Sequence, residues 1–502
     1  MRTRTAVLLV FMLLAAGLVS SATRASAQTA EEQARRRFAT GRDSLQNRRY
    51  QEALRDFRAV ADDYKDTSVA DDALLEIARY ELEVGNSLQR SQEALDRLLK
   101  EHKDSDSAPM AHLLVGRVAM ARGRTQADID AAIGSFSRVE GLFPRSDAVP
   151  EALYYKGEVF RLVDRHTEAI PHYRDVTLRY PRTLWAARAH IGLSLTLART
   201  GNALAAIDEL QRVRLRFPDS PEADRAERLL TILYRLYVLP TTGVAPYQWS
   251  TKTLAGPAGR LRDILNLTMS PGDDLAATND LGTLVFEAGK TAPTMVRHAP
   301  AYSAYYSRLG RLVIAGKGVL RVDPSTAIPL AAPQVAKPPR PLGELRAAVG
   351  LSNGDVLVSD GDTKSVLQFS ESGKYIGEFS KTDASRLVVN QLDHVAMLDR
   401  ESVWVTIVDR DRKTLLHVGP RGQGFEFKNP VDIAFDAFGH LYVLDRGSFT
   451  VWVFTPDGKL RTQFTLAEKA PGAFARARTL TLDSAGRLFI FDERAEAVRI
   501  YR

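Results

Sequence analysis

The sequence predicts a multidomain α + β chain, in which an N-terminal α-solenoid of helix-turn-helix repeats is followed by an all-β propeller of six blades. Two observations lead to this prediction. Residues 28–239 repeat with a helical period, and residues 271–502 repeat with the short, turn-bounded period of β-strands. A length of 502 residues also exceeds one ordinary domain. The composition, with 45% hydrophobic and 26% charged residues, is that of folded globular protein.

Residues 1–27 have the pattern of a secretory signal peptide. Two arginines lie within Met1–Thr5, an apolar run follows from Ala6 to Val19, and the small residues of Ala25–Ala27 form a cleavage signal. The apolar run is shorter than the ~20 residues that a membrane-spanning helix needs. We therefore expect a periplasmic or secreted protein with no transmembrane segment after signal removal. Since the chain contains no cysteine, it is not expected to be a lipoprotein.

Charge and cysteine content exclude several classes of function. The formal net charge is +7, but Arg2, Arg4 and Arg24 belong to the signal segment and the rest contains no long Lys/Arg block. Nucleic-acid binding is therefore not expected. The absence of cysteine excludes a thiol nucleophile and a cysteine-ligated metal.

A marker recurs five times in the first half, at intervals of 37–41 residues. It consists of an aromatic residue or His, two further residues, and then Ser or Thr. The five copies are Tyr64–Thr67, His102–Ser105, Phe143–Ser146, Tyr180–Thr183 and Phe217–Ser220. In the last three, Pro follows the aromatic residue and cannot continue a helix. The Ser or Thr is then expected to be the N-cap of the next helix.

The residues eleven, seven and four positions before each marker share one helical face, because their offsets are four and three. The five sets are Ala53/Phe57/Val60, Ser91/Leu95/Leu98, Ala132/Phe136/Val139, Ala169/Tyr173/Val176 and Ala206/Leu210/Val213. A small residue follows four of the markers by twelve or fourteen positions, at Ala78, Gly116, Gly157 and Gly192. The pattern predicts paired helices in close contact.

This pattern resembles tetratricopeptide repeats over residues 34–238. Its long period and Tyr-Pro-Arg-Thr or Phe-Pro-Asp-Ser junctions are similar to periplasmic outer-membrane-assembly and Tol-Pal-associated proteins. The resemblance implies a groove for protein or peptide partners in the cell envelope, and no catalysis. It also implies that four residues face this groove: Arg117, Tyr154, Glu158 and Arg161. Charges on a solvated helix face are the alternative interpretation of these side chains.

The second half contains strands in a second period. Gly354, Gly439 and Gly486 each precede an alternating apolar run, and an Asp lies six residues after each, at Asp360, Asp445 and Asp492. A degenerate copy lies at Asp399–Val408, and two weaker copies begin near Leu281 and Leu309. Six units of this kind predict a β-propeller rather than a sandwich.

The stretch Pro430–Gly458 resembles an NHL repeat, a family whose domains form six-bladed propellers. Residues 240–270 are interpreted as a linker, within which Pro246–Leu254 could supply the outer strand that the last blade lacks. The proline-rich stretch Pro324–Pro341 is expected to be an extended surface loop without ladder hydrogen bonds.

The sequence predicts no catalytic residue, metal or cofactor, because no hydrolase, nucleotide-binding or metalloprotease motif is present. Asp445 is interpreted as a turn residue, and His440 is placed on an outer loop. Some NHL propellers are lyases with zinc in the central channel, and the candidate positions here are His394, Asp432 and Thr479. One imidazole cannot make a three-ligand zinc site. We therefore expect a non-catalytic scaffold, with a propeller enzyme or a sensor of a small ligand, such as a sugar or peptide, as the alternative.

Overall fold

A computed structural model describes residues 28–123, 125–256, 261–296, 301–307, 310–316, 318–322, 326–330, 342, 345–465, 473–474 and 476–502. The predicted signal peptide lies outside these residues. The chain forms two compact units that divide between Ala186 and Ala187. The sequence pattern, in contrast, changes between residues 239 and 240. The last helices of the repeat region therefore belong to the same unit as the strands.

Eleven α-helices precede the strands in the described part of the chain. They are α1 (28–46), α2 (Tyr50–Asp63), α3 (Ala70–Glu83), α4 (Leu88–Glu101), α5 (Ala108–Arg122), α6 (Gln126–Leu142), α7 (Val149–Leu162), α8 (His166–Arg179), α9 (Leu184–Arg199), α10 (Ala203–Arg216) and α11 (Pro221–Leu233). A π-helical turn (Tyr234–Val238) and a 3₁₀ turn (Leu239–Thr242) follow α11. No helix among these residues combines the length and the apolar character needed to cross a membrane.

The five markers end the second helix of each pair, which confirms the predicted helix-turn-helix period. Tyr64, His102, Phe143, Tyr180 and Phe217 are the C-caps of α2, α4, α6, α8 and α10, with φ between −127° and −133°. The backbone N–H of the Ser or Thr three residues later donates to the C=O of each marker residue, at 2.9–3.1 Å. The turn is the same with or without Pro.

The N-cap prediction is correct for two junctions and wrong for three. The Ser220 hydroxyl accepts from the N–H of Ala223, and that of Thr183 accepts from the N–H of Ala186. After Thr67, Ser105 and Ser146 the chain makes a further turn before the helix begins. The caps of α3, α5 and α7 are consequently Val69, Ser107 and Ala148.

The core of each helix pair is an aromatic or leucine side chain set against a small residue. The residues predicted to share one face are all buried. A β-carbon on Gly41, Gly116 or Gly157 would lie 2.4–2.7 Å from the ring of Phe57, Phe136 or Tyr173, respectively. In the second pair, where the facing residue is Leu95, the small residue is Ala78. In the first four pairs the size of one residue therefore matches the size of its partner, whereas the fifth pair combines Gly192 with Leu210 at these positions.

Six four-stranded antiparallel sheets form the propeller, which confirms the predicted blade number. Blade one contains β2 (Asn266–Met269), β3 (Leu275–Asn279), β4 (Gly282–Phe286) and β5 (Thr294–Val296). Blade two contains β6 (Ala301–Tyr306), β7 (Leu312–Gly316), β8 (Val319–Val322) and β9 (Thr326–Pro329). Blade three contains β10 (Leu345–Gly350), β11 (Val356–Asp360), β12 (Ser365–Phe369) and β13 (Tyr375–Ser380).

Blade four contains β14 (Ala384–Val389), β15 (Val395–Asp399), β16 (Val405–Val408) and β17 (Thr414–Val418). Blade five contains β20 (Pro430–Phe435), β21 (Leu441–Asp445), β22 (Thr450–Phe454) and β23 (Leu460–Thr465). Blade six contains β24 (Ala477–Leu482), β25 (Leu488–Asp492), β26 (Ala497–Tyr501) and, as its outer strand, β1 (Trp249–Ala255). A short hairpin, β18 (Arg421–Gly422) and β19 (Phe425–Glu426), separates blades four and five. Each inner strand contacts the next around the ring, and β24 contacts β2.

The outer strand of the sixth blade comes from the segment expected to close the ring. β1 pairs antiparallel with β26, with Leu254 opposite Val498 and Ala255 opposite Ala497. The N–H groups of Gln248 and Arg502 donate to each other's C=O groups at 2.8 and 2.9 Å. The first inner strand, β2, begins at Asn266, ahead of the predicted propeller start at residue 271.

Two strand expectations are wrong. The start of the proline-rich stretch is not a free loop, because Thr326–Pro329 pairs with β8 as an outer strand. Proline is tolerated there because the outer edge of a blade has no further partner. The stretch near Leu281 was expected to be the second strand of its blade. It forms the third strand instead, because the second strand is Leu275–Asn279. Asn279 replaces the expected Asp, so the sequence pattern was weak there.

The close contact between α5 and α6 predicts that Gly116→Ala destabilises the protein. The new methyl group would meet the Phe136 ring at 2.4 Å, and overpacking of this kind costs about 1–3 kcal/mol. Adding Phe136→Leu should recover a large part of this loss, because the second helix pair already combines Leu95 with Ala78 at these two positions. Urea denaturation followed by circular dichroism measures both changes.

Gly134→Ala in α6 is the matched control, because no atom lies within 4 Å of the position that its new methyl group would take. It should stabilise the protein by about 0.5–1 kcal/mol through helix propensity. A stabilising Gly116→Ala would contradict the packing account.

Candidate functional site

An aromatic patch in the first compact unit contains two of the predicted groove residues, Arg117 and Tyr154. The rings of Tyr154, Tyr155 and Trp185 pack against one another with centroids 5.3–5.9 Å apart. All three side chains are half-buried. The Arg117 guanidinium of α5 lies 5.5 Å from the centre of the Tyr155 ring and donates to Glu83 at 2.8 Å. We call these four residues the aromatic patch.

The other two predicted groove residues, Glu158 and Arg161, face each other. Arg161 donates to both carboxylate oxygens of Glu158, at 3.0 and 2.7 Å, and the Tyr173 hydroxyl also donates to this carboxylate. Only 12% of each charged side chain is exposed. Burial is the largest influence and alone would lower the pKa of Arg161. The Glu158 charge and hydrogen bond, together with Tyr173 and Tyr154, outweigh it, and the pKa lies above its ordinary value. The pair therefore links α7 to α8.

The four predicted groove residues thus have two different environments. Tyr154 and Arg117 belong to a half-exposed ring cluster, which can bind apolar groups. Glu158 and Arg161 form a largely buried ion pair, to which Tyr173 adds a hydrogen bond. Sequence spacing placed all four residues on the first helix of a repeat, but it could not show which charges pair within the protein. Tyr155 and Trp185 were missed, because their ring contacts cross from α7 to α9.

In the second unit, Asp432 and Thr479 lie together on neighbouring inner strands. The Thr479 hydroxyl donates to Asp432 Oδ2, and the N–H of Leu480 donates to the same oxygen at 2.9 Å. Arg386 Nε lies 3.2 Å from Asp432 Oδ1, close enough for an ion pair but not aligned for a hydrogen bond. Burial raises the pKa of Asp432, while the Arg386 charge and these donors oppose the rise.

Strand register shows that these residues belong to a repeated ring around the channel. Each lies opposite the penultimate residue of the second strand in its blade. The six positions are Asn266, Ser303, Ala347, Arg386, Asp432 and Thr479.

Four of the six side chains accept a hydrogen bond from a backbone N–H in the next blade. The donors are Ala304, Ala348, Leu480 and Leu267, at 2.9–3.3 Å. The last of these bonds joins blade six to blade one. Arg386 joins blade four to blade five through its ion pair, and only Ala347 has no polar side-chain atom to offer. Side chains of the ring therefore link neighbouring blades to each other.

The inner strands enclose a cavity of about 260 Å³ in the channel, lined in part by Arg346, Arg386 and Asp432. Its charged groups come from different blades, so a polar ligand in this cavity would contact several blades together.

The proposed match of His394 with Asp432 and Thr479 is wrong. His394 immediately precedes β15, at the hairpin end of its blade, where the corresponding residues are His440 and Arg487. The counterpart of Asp432 in this blade is Arg386, and four residues of extended strand, roughly 13 Å, separate the Arg386 level from that hairpin. The His394 Nδ1 atom lies 3.2 Å from Arg199 Nη2 of α9. The sequence alignment that matched His394 with Asp432 is therefore eight residues out of register, because Arg386 stands eight residues before His394 and Asp432 stands eight residues before His440.

His440 was expected on an outer loop, but it is fully buried. Its ring nitrogens lie 2.8 Å from Asp436 Oδ2 and 2.9 Å from the Tyr237 hydroxyl. Tyr442 donates to the same carboxylate and lies 3.0 Å from the hydroxyl of Tyr247. Burial raises the pKa of Tyr247 to about 12, so its hydroxyl keeps its proton at neutral pH.

This Tyr-His-Asp arrangement resembles a catalytic relay, but His440 has 0% exposure and no substrate can reach it. Tyr237 comes from the π-helical turn after α11, and Arg235 on the same turn donates to the C=O groups of Ala485 and Gly486. The network therefore holds the last helices on the hairpin ends of the blades. Sequence analysis missed it because Tyr237 and His440 are far apart in the chain.

Asp445 has the structural role that the repeat pattern predicted. Its carboxylate accepts from the backbone N–H groups of Lys428 and Asn429 at 2.7 Å and of Gly447 at 3.0 Å. The counterparts Asp360 and Asp492 likewise accept from nearby N–H groups. These acids fix turns and carry no chemistry.

A family model described as "Tetratricopeptide repeat" matches residues 75–133, which extend from α3 into α6. No curated protein matches the chain. Among solved structures, a streptogramin B lyase is 10% identical with a TM-score of 0.38, covering 51% of this chain and 97% of its own. Virginiamycin B lyase from Staphylococcus aureus is 11% identical with a TM-score of 0.35, covering 49% of this chain and 82% of its own. MamA protein is 17% identical with a TM-score of 0.29, covering 37% and 92%.

Likenesses at these scores carry no functional argument. The first unit thus contains a stretch that matches the tetratricopeptide-repeat model, and the second contains a six-bladed propeller; both kinds of fold typically mediate protein interactions.

The Glu158–Arg161 pair predicts a large loss of stability for Arg161→Leu. The substitution leaves a buried carboxylate without its cation, which costs about 3–5 kcal/mol. Adding Glu158→Gln should recover much of the loss, since the neutral amide needs no counter-charge. Urea denaturation of the single and double variants measures the coupling.

Arg165→Leu is the control, because Arg165 makes the same two-pronged contact with Glu168 at an exposed position. Its effect should be much smaller. Equal effects of the two arginine substitutions would contradict the structural role of Glu158–Arg161.

Proposed function

We propose that the protein is a non-catalytic scaffold of the bacterial cell envelope, periplasmic or secreted, that binds a partner protein or peptide. The observation that carries this proposal is the aromatic patch of Arg117, Tyr154, Tyr155 and Trp185. Tyr, Trp and Arg are enriched at protein interfaces, because they offer large contact areas at low entropic cost. The location rests on the signal-peptide pattern of residues 1–27.

The chemistry of the patch defines the kind of partner. Three half-buried rings form its surface, and the Arg117 charge is already paired with Glu83 at 2.8 Å. The main attraction is therefore burial of apolar surface rather than charge. We propose an extended peptide segment that inserts an apolar or proline side chain between the rings, since aromatic-lined surfaces suit such segments.

The propeller supplies a second, rigid surface on the same chain. The Pro430–Gly458 motif supports an NHL-type propeller, and the helical junction motifs support a role in outer-membrane assembly or with the Tol-Pal system. A scaffold with two binding modules would bind two partners on one chain and raise their effective concentration.

Substitution of the aromatic patch tests the binding function. Tyr154→Ala with Trp185→Ala should weaken retention of an envelope partner at least tenfold, because hot-spot aromatic residues contribute about 2 kcal/mol or more each. The measurement is a pull-down from envelope extract, followed by titration of the purified partner. Circular dichroism checks that the helices remain folded.

Tyr50→Ala is the matched control, because Tyr50 is also half-buried and packs on a second ring, Tyr80, at 5.4 Å. It should leave partner binding unchanged. If the patch variant binds as well as the control, the aromatic patch is not the binding site.

The second candidate function is binding of a small ligand, such as a sugar or peptide, in the propeller channel. The channel cavity and its Arg386–Asp432 pair favour it. A zinc lyase is less compatible with the geometry, since His394 lies at the hairpin end and contacts Arg199. We expect no stoichiometric zinc on the purified protein by mass spectrometry of metals. Stoichiometric zinc that is lost on His394→Ala would favour the enzyme instead.

A further inference from the structure

Three carboxylates meet where the second and third helix pairs adjoin. Asp71 and Asp72 lie in the first turn of α3, and Asp106 lies in the turn before α5. One oxygen from each comes within 4.8 Å of the other two. We call these residues the acidic triad. The sequence analysis predicted no metal site and singled out none of the three.

The Asp71 carboxylate points to a missing partner. The residue is 4% exposed, and its Oδ2 is enclosed without a hydrogen-bond partner among the described residues. Leaving a buried polar oxygen unpaired costs about 1–3 kcal/mol, and more if it is charged. No described Lys or Arg forms an ion pair with any member of the triad. Within the described part of the chain, only Asp72 has a hydrogen-bond donor, the Ser107 hydroxyl at 2.8 Å.

The helix terminus does not explain this arrangement. Acids in a first turn gain about 0.3–1 kcal/mol from the helix dipole, but the dipole supplies no donor to the enclosed Oδ2. The repeat itself does not need an acid there. Pro109 and Pro150 stand at the same spacing of seven residues after their markers, and both are buried at the start of their helices. A buried acid also stands at the second position of α11, Glu222, but it pairs with Arg188 at 2.8 Å, whereas no described Lys or Arg pairs with Asp71.

We propose that Asp71, Asp72 and Asp106 bind a calcium ion. Calcium takes oxygen ligands at about 2.3–2.6 Å, so ligands on opposite sides of the ion are up to about 5 Å apart. The separation of at most 4.8 Å meets this requirement. Magnesium usually keeps several of its waters and binds only one or two carboxylates, so a site of three carboxylates favours calcium. Water completes the coordination shell.

The ion would stabilise a particular junction of the solenoid. It joins the start of α3 to the turn before α5, and so ties two successive repeats together.

Thermal unfolding of the whole chain tests the proposal. After treatment with chelator, addition of millimolar CaCl2 should raise the melting temperature by roughly 3 °C, and calorimetric titration should show one ion per chain. MgCl2 should give a clearly smaller shift. No shift with calcium, or an equal shift with magnesium, would overturn the calcium assignment.

Asp71→Asn and Asp72→Asn distinguish a metal site from a purely structural role. Without calcium, Asp71→Asn should melt at the same temperature as the native chain or higher, because it removes repulsion within the triad. With calcium, it should show no shift. Asp104→Asn, which removes an exposed charge from the same turn, is the control and should keep the full response. A full calcium-induced rise in melting temperature in Asp71→Asn and Asp72→Asn would contradict the proposal.

Discussion

The pairing of β1 with β26 is the interaction on which the second unit depends. It supplies the fourth strand of the sixth blade and joins the segment before blade one to the last residues of the chain. The same pairing holds the end of the helical region beside the blades, where Tyr237 and Arg235 reach the hairpin turns. A propeller without this strand would have an exposed edge in its last blade and unpaired backbone groups along Ala497–Tyr501.

Much of the fold could be predicted because its information is local and repeated. The marker residues end helices through a turn of only four residues, so each copy carries its own evidence. The same holds for Gly354, Gly439 and Gly486, each of which stands at a hairpin before a second strand. Prediction failed where a copy lacked its turn residues, as at Leu275–Asn279, or where proline suggested a loop, as at Thr326–Pro329.

The candidate sites were harder to predict because they depend on contacts between distant segments. Spacing placed Glu158 and Arg161 on the proper helix, but it did not show that they bind each other. His394 was aligned with Asp432 because both lie near inner strands, and only strand register revealed the difference. The environments of His440 and Asp71 are set by burial, and this burial depends on residues from another helix or blade.

The matched sizes of facing residues in the first four helix pairs have a consequence for how the solenoid can change. Gly116 fits Phe136 and Gly157 fits Tyr173, whereas Ala78 faces Leu95. A single helix transplanted from one pair to another would bring a methyl group against a ring or leave a void. The helical hairpin as a whole is consequently the unit that duplication or recombination can add, remove or exchange without repacking its neighbours.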